Sequence, residues 1–316
     1  MQKILAFFRL VRWQNLLITA LMMCLVYHKL IDMPSTIGFT LLVISMVLIQ
    51  AGGYVINDIF DMAIDLINKP KKTIVGKIFT EKQSKIFYWL LTIIGLGCAL
   101  ASTLMMHGAK FITVFACMVL LAGVLYSYSK TYKKRLLIGN LIVSLSIAFA
   151  VFVPWLFVLI YMSKEGVSVE NYDFMMLVSL RLVLIFTAFA FIMNLIREIV
   201  KDMQDVEGDS RQNCHTVPIV WGMQIAQIIT LTLCAITFCG IQYAGTYIND
   251  RLNMEVASNI LKWSSALLVF PMIIGLVMNL FSIKDNKPAY WFTPAFYSKA
   301  LKISMLIGIL SMFYIN

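Results

Sequence analysis

The sequence predicts an all-α integral membrane protein with about nine transmembrane helices, and three observations carry that expectation. Of 316 residues, 60% are apolar and only 13% charged, with a mean hydropathy of +0.85, whereas a soluble domain carries roughly 25% charged residues. Nine segments between charge clusters approach the ~20 apolar residues a helix needs to cross a hydrocarbon core. Lysine and arginine gather on one side of those nine spans, as the positive-inside tendency requires. Soluble enzymes, nucleic-acid binders and disordered tails are disfavoured by composition alone. The excess of 26 basic over 16 acidic residues suits one membrane leaflet rather than a nucleic acid.

In chain order the spans run approximately Val11–Ile31, Thr36–Ile56, Ile86–Met106, Phe111–Tyr128, Leu136–Tyr161, Phe174–Ile196, Ile219–Tyr247, Ile260–Phe281 and Leu301–Ile315. The first is long enough to span and lacks a small-residue cleavage pattern, so it is expected to be a helix rather than a cleaved signal. Nine spans place 20 basic residues on the side of the first residue and six on the other. One span more or fewer would destroy that split. It predicts a cytoplasmic N-terminus and an outer C-terminus. The chain reads as one transmembrane domain over residues 1–316. Six cysteines with no CxxC spacing read as small core hydrophobes rather than disulfides or a zinc site.

Against this apolar background two acidic runs stand out. Asn57-Asp58-Ile59-Phe60-Asp61-Met62-Ala63-Ile64-Asp65 follows the second span, and Asp202-Met203-Gln204-Asp205-Val206-Glu207-Gly208-Asp209 follows the sixth. Both contain DxxDxxxD. At 100° per residue, positions i, i+3 and i+7 fall within about 60° of arc, so each triplet should line one face of a helix. A solvated acidic helix end would explain one such run. Two at matched spacing, taking six of 16 acidic residues, point instead to cation binding, because stacked like charges repel. Carboxylates grouped without histidine or cysteine are hard oxygen ligands that select Mg²⁺, Mn²⁺ or Ca²⁺. Mg²⁺ takes one or two carboxylates and fills its octahedron with water and phosphate oxygens. Lys72 follows the first run, and Arg197 and Lys201 precede the second, so an anionic headgroup on an apolar tail is the expected ligand.

At these residues the chain resembles the UbiA family of intramembrane prenyltransferases, whose motifs are NDxxDxxxD and DxxDxxxD on the second and sixth of nine transmembrane helices. Asp65-Leu66-Ile67-Asn68-Lys69-Pro70 and the stretch from Arg197 to Asp209 look most like the branch that includes digeranylgeranylglyceryl phosphate synthases. Where that branch often continues with Arg-Pro, this chain reads Lys71-Lys72-Thr73, which keeps the charge and loses the bidentate fork. The resemblance implies a helical bundle around a central cavity, with an allylic polyprenyl diphosphate held by Mg²⁺ at the two acidic helix ends.

On that reading Asp58, Asp61, Asp65, Asp202, Asp205 and Asp209 are the catalytic and metal-binding residues. Asn57, Lys72, Lys201 and Arg197 would contact the diphosphate, and Asn194 or Asn15 an acceptor. Tyr126, in Tyr126-Ser127-Tyr128, would face a developing cation or serve as an interfacial anchor. The expected partners are a polyprenyl diphosphate, membrane lipids and a lipid or aromatic acceptor, with a prenylglyceryl phosphate ahead of 4-hydroxybenzoate, dihydroxynaphthoate or homogentisate. The rival from another class is a cation-coupled transporter. Intramembrane carboxylates and possible internal duplication also mark ion pathways, but a transporter would place acidic residues at mid-span in broken helices; Gly52-Gly53 keeps it open.

Overall fold

The computed structural model describes residues 2–33, 36–62, 65, 73–105, 112–164, 174–211, 214–281, 283–284, 287–288 and 293–315. Helices dominate. They are α1 (Gln2–Leu10), α2 (Trp13–Leu25, continued by a π-helical turn over Val26–Leu30), α3 (Ile37–Phe60), α4 (Glu81–Leu104), α5 (Ile112–Lys130), α6 (Ile138–Lys164), α7 (Phe174–Ser210), α8 (Val217–Val220), α9 (Met223–Leu252), α10 (Glu255–Ser264), α11 (Phe270–Phe281) and α12 (Pro294–Ser311). A two-residue antiparallel ribbon pairs Ile283–Lys284 with Lys287–Pro288. Among the described residues eight helices are long and apolar enough to cross a membrane, and the bent pair α1–α2, with its π turn, makes nine if counted as one span. Such helices satisfy every backbone donor and acceptor within the segment, which a hydrocarbon solvent demands.

The helices outrun several of the apolar runs that predict them. The fourth transmembrane segment ends at Lys130 rather than Tyr128, and the eighth starts at Glu255 rather than Ile260, because backbone hydrogen bonding continues through polar residues where the hydrocarbon ends. The seventh starts later, at Met223: Gly222 takes φ +88° and separates it from α8. The largest departure is α7. It runs 37 residues, about 55 Å at ~1.5 Å per residue, against a hydrocarbon core of ~30 Å. Its polar C-terminal part, from Arg197 onward, therefore extends past the hydrocarbon. All six cysteines are free thiols.

The chain divides into two compact units, residues 1–133 with 149–183, and residues 134–148 with 184–316. In the first, α3 packs against α2, α4 and α5. Thr36 caps α3 by accepting from the Phe39 amide at 3.1 Å, and Thr80 and Gln83 form a reciprocal capping box at the start of α4. Small residues bring α3 and α4 together: a Cβ on Gly95 would lie 3.0 Å from Ile49 Cγ1 and 3.3 Å from its amide nitrogen, and one on Gly52 would lie 2.8 Å from Thr92 Oγ1. Gly52 thus serves close packing, not a mid-span break. At the other end of α3, Tyr27 stacks on Phe39 with centroids 3.7 Å apart. In the second unit α9 packs on α10 and α11, and α10 on α12, around a core that includes Met193, Ile196, Cys234, Met272 and Leu301.

Overpacking of this kind typically costs 1–3 kcal/mol. Gly95→Val should therefore lower the melting temperature in detergent, whereas Gly97→Ala, where an added Cβ meets nothing within 4 Å, should leave it unchanged or raise it slightly.

Candidate functional site

The first acidic run straddles the end of α3. α3 ends at Phe60 and Asp61 is its C-cap, with φ −86° and ψ −2°. Beyond the cap the Asp65 amide donates to the Asp61 carbonyl at 2.8 Å, and Thr73 Oγ1 donates to the Asp65 carbonyl at 2.7 Å. Carboxylates here face the negative end of the α3 dipole, so cations are drawn in. Arg12 donates to Asp58 Oδ1 at 3.0 Å. Lys133 donates to Asp61 Oδ2, and Asn57 Nδ2 donates to the same oxygen at 2.8 Å. Asp61 is buried at 8% exposure.

Arg12 reaches Asp58 from an unusual backbone. Its φ of 52° and ψ of 51° are left-handed, a conformation costing an L-residue about 1–2 kcal/mol, and they produce the 52° bend between α1 and α2. The guanidinium carbon lies 4.7 Å from the centre of the Tyr54 ring, within cation–π range. Asn15 donates to the Tyr54 hydroxyl at 3.5 Å, a turn below the pair. Tyr126 takes no part in the carboxylate contacts described: its ring lies 6.0 Å from Phe60, 6.2 Å from Tyr88 and 6.0 Å from the Lys130 ammonium. Lys72 lies outside the described residues.

The second run is continuous helix. Asp202, Asp205 and Asp209 are half-buried on one face of α7, with Gln204 and Glu207 exposed. Asn140, near the start of α6, donates to Asp202 Oδ2 at 2.8 Å. One turn earlier Glu198 Oε1 accepts from Arg197 at 3.0 Å and from Lys201 at 2.5 Å. The side chains of Arg197 and Glu198 are 13% exposed. Asn194 is fully buried and donates to the Ala190 carbonyl of its own helix at 2.8 Å, so its amide nitrogen is satisfied locally.

Four participants escape the sequence reading: Arg12, Lys133, Asn140 and Glu198. Only Glu198 had a local signal, its i,i+3 spacing to Lys201. Among the described residues no three of His, Cys, Asp or Glu converge closely enough to hold a metal. The donors present are nonetheless hard carboxylate oxygens oriented by amides, a set that suits Mg²⁺ and its habit of taking one or two carboxylates.

The UbiA prenyltransferase family model matches residues 15–306. The chain is 33% identical over 181 residues to a digeranylgeranylglyceryl phosphate synthase of Methanococcus maripaludis, an alignment covering 57% of this chain. The chain spans 55% of that relative's length. Among solved structures, one from work on digeranylgeranylglyceryl phosphate synthase in membranes aligns with a TM-score of 0.63 at 24% identity, covering 99% of this chain and 98% of the other. A UbiA homolog from Archaeoglobus fulgidus bound to GPP and Mg²⁺ aligns with a TM-score of 0.59 at 18% identity, covering 98% and 99%.

Removing the cation from a buried carboxylate costs more than breaking an exposed pair; Asp61 is 11% exposed at its side chain and Lys133 37%. In EDTA, Lys133→Met should destabilise by about 1–3 kcal/mol, measured by thermal or denaturant unfolding. Lys85→Met, which breaks an exposed pair with Glu81 (56% and 47% exposed), should cost under ~1 kcal/mol. With its apolar helices, the matched fold and a family model covering most of its length, this multi-pass integral membrane protein belongs to the UbiA prenyltransferase family.

Proposed function

We propose that the protein transfers a polyprenyl group from an allylic polyprenyl diphosphate to a membrane-associated acceptor, a prenylglyceryl phosphate, in a Mg²⁺-dependent reaction of one domain over residues 1–316. The observation that carries this reading is the pair of DxxDxxxD runs, each set among cations and amides at a helix end. The names of the relatives support the acceptor, and the A. fulgidus homolog bound to GPP and Mg²⁺ supports the donor and the metal.

Asp58, Asp61, Asp65, Asp202, Asp205 and Asp209 would hold the metal ions, with Asn57 and Asn140 fixing carboxylate orientation. When bound, Mg²⁺ neutralises charge that builds on a departing pyrophosphate. The residues of this chain exchange partners to receive it. Arg12 and Lys133 leave their carboxylates, and Arg197 and Lys201 leave Glu198, so that released cations meet the diphosphate's oxygens. Lys72 would add to them. Asn15 and Tyr126 are the remaining polar candidates for contact with the acceptor or with positive charge on the allyl group, and Asn194 for the acceptor alone. Apolar walls exclude the water that would otherwise capture the allylic group. The split of basic residues supports a cytoplasmic N-terminus and site and an outer C-terminus.

Two measurements test the reading. Asp61→Asn and Asp205→Asn should each lower Mg²⁺-dependent prenyl transfer by about 100-fold or more, the rate equivalent of losing a few kcal/mol of charge stabilisation; near-normal turnover in both would overturn the assignment. Mass spectrometry of products from mixed allylic diphosphates and acceptors should show prenylated prenylglyceryl phosphate. Products on 4-hydroxybenzoate, dihydroxynaphthoate or homogentisate alone would move the protein to aromatic acceptors. Absence of pyrophosphate release with every donor would favour a transporter.

A further inference from the structure

The first unit carries a groove between α3, α4 and α5. Ile56, Ile59, Phe60 and Met62 floor it, and its volume is about 520 Å³. α4 and α5 supply its walls through Tyr88, Trp89 and Tyr126, and its rim through Lys85, Lys130 and Glu81. The volume falls within the 300–1,000 Å³ typical of small-ligand sites. Trp89 is 57% exposed and Phe60 39%, so the groove opens outward rather than into the core.

We propose that this groove binds an anionic glycerophospholipid of the surrounding bilayer, its phosphate against Lys85 and Lys130 and its first methylenes on the aromatic and aliphatic floor. Charge complementarity selects the occupant. The rim carries two cations and one carboxylate, and Lys85 is held by Glu81 through an exposed contact of 2.5 Å, the kind that contributes little and exchanges readily. A phosphate restores charge balance there. A water-soluble anion would leave the apolar floor bare, and a zwitterionic lipid would bring its own cation to the lysines. The surroundings fit the headgroup level of a membrane: tryptophan and tyrosine at the boundary, lysine stems lying along apolar surface with the charge outward, and attraction of basic groups to anionic leaflets. The groove shares no side chain with the carboxylate contacts around Asp58 and Asp61; of the residues proposed to contact the substrates, it includes Tyr126.

The test is native mass spectrometry of the intact, delipidated protein offered phosphatidylglycerol or phosphatidylcholine. Wild type should retain phosphatidylglycerol preferentially. Lys85→Gln with Lys130→Gln should lower that retention by about 30-fold, as loss of two interfacial cations implies, down to the level of phosphatidylcholine. Lys82→Gln, an exposed lysine of the same helix outside the groove, should leave it intact. Trp89→Ser keeps both cations and should weaken retention through the loss of an aromatic wall. Equal retention of the two lipids by wild type, undiminished binding in the double variant, or an equal loss in Lys82→Gln would each overturn the proposal. Displacement of phosphatidylglycerol by equimolar inorganic phosphate would do the same.

Discussion

A carboxylate beside hydrocarbon has to be matched, and much of the architecture around both acidic runs follows from that requirement. Withdrawing an ion from water costs several kcal/mol even after relaxation, and at the end of α3 the helix dipole adds to the cost. The first unit answers with Arg12, Lys133 and Asn57 around two aspartates. Arg12 accepts a left-handed backbone to do so, and the bend at the start of α2 is the geometric result. The second unit answers differently. Asp202 leans on a neutral amide, and the nearest cations are occupied one turn away by Glu198.

The two solutions share a property relevant to the proposed chemistry. Each carboxylate contact is made by a group that is itself able to bind phosphate or orient a ligand, so arrival of a metal–diphosphate permits a trade of partners rather than the exposure of bare charges. An apolar seam could not make that trade. The close α3–α4 packing through Gly52 and Gly95 holds the scaffold fixed beneath the first site, and the length of α7 carries the second beyond the hydrocarbon.

The spans were legible because a bilayer imposes a single length and a single polarity on every crossing. The acidic faces were legible because their spacing is local. The partners were not. Arg12 lies 46 residues from Asp58, Lys133 lies 72 from Asp61 and Asn140 lies 62 from Asp202, and nothing in the local pattern couples such positions. Sequence proximity suggested Lys72 as the cation for the first run, whereas the described contacts bring in Lys133 from the segment after α5. Asn194 illustrates the reverse problem: a polar residue in an apolar helix invites a ligand, but its own backbone satisfies its amide nitrogen. The end of α3 at Phe60 was hidden too, because an acidic i, i+3, i+7 pattern carries no stop signal at Asp61.

The length of α7 makes the protein a gauge of its membrane. The helix changes from apolar to charged within a single turn near Ile196, and Asp202 sits less than two turns further on, about 9 Å along the axis. Biological bilayers differ from one another by several ångströms in hydrocarbon thickness. A thicker bilayer brings the hydrocarbon boundary nearer to Asp202 unless the helix tilts less, and a thinner one moves it away. Tilt and local lipid deformation absorb such mismatch at a fraction of a kcal/mol per ångström. The acidic face of α7 is thereby tied to the lipid composition of the compartment that houses it.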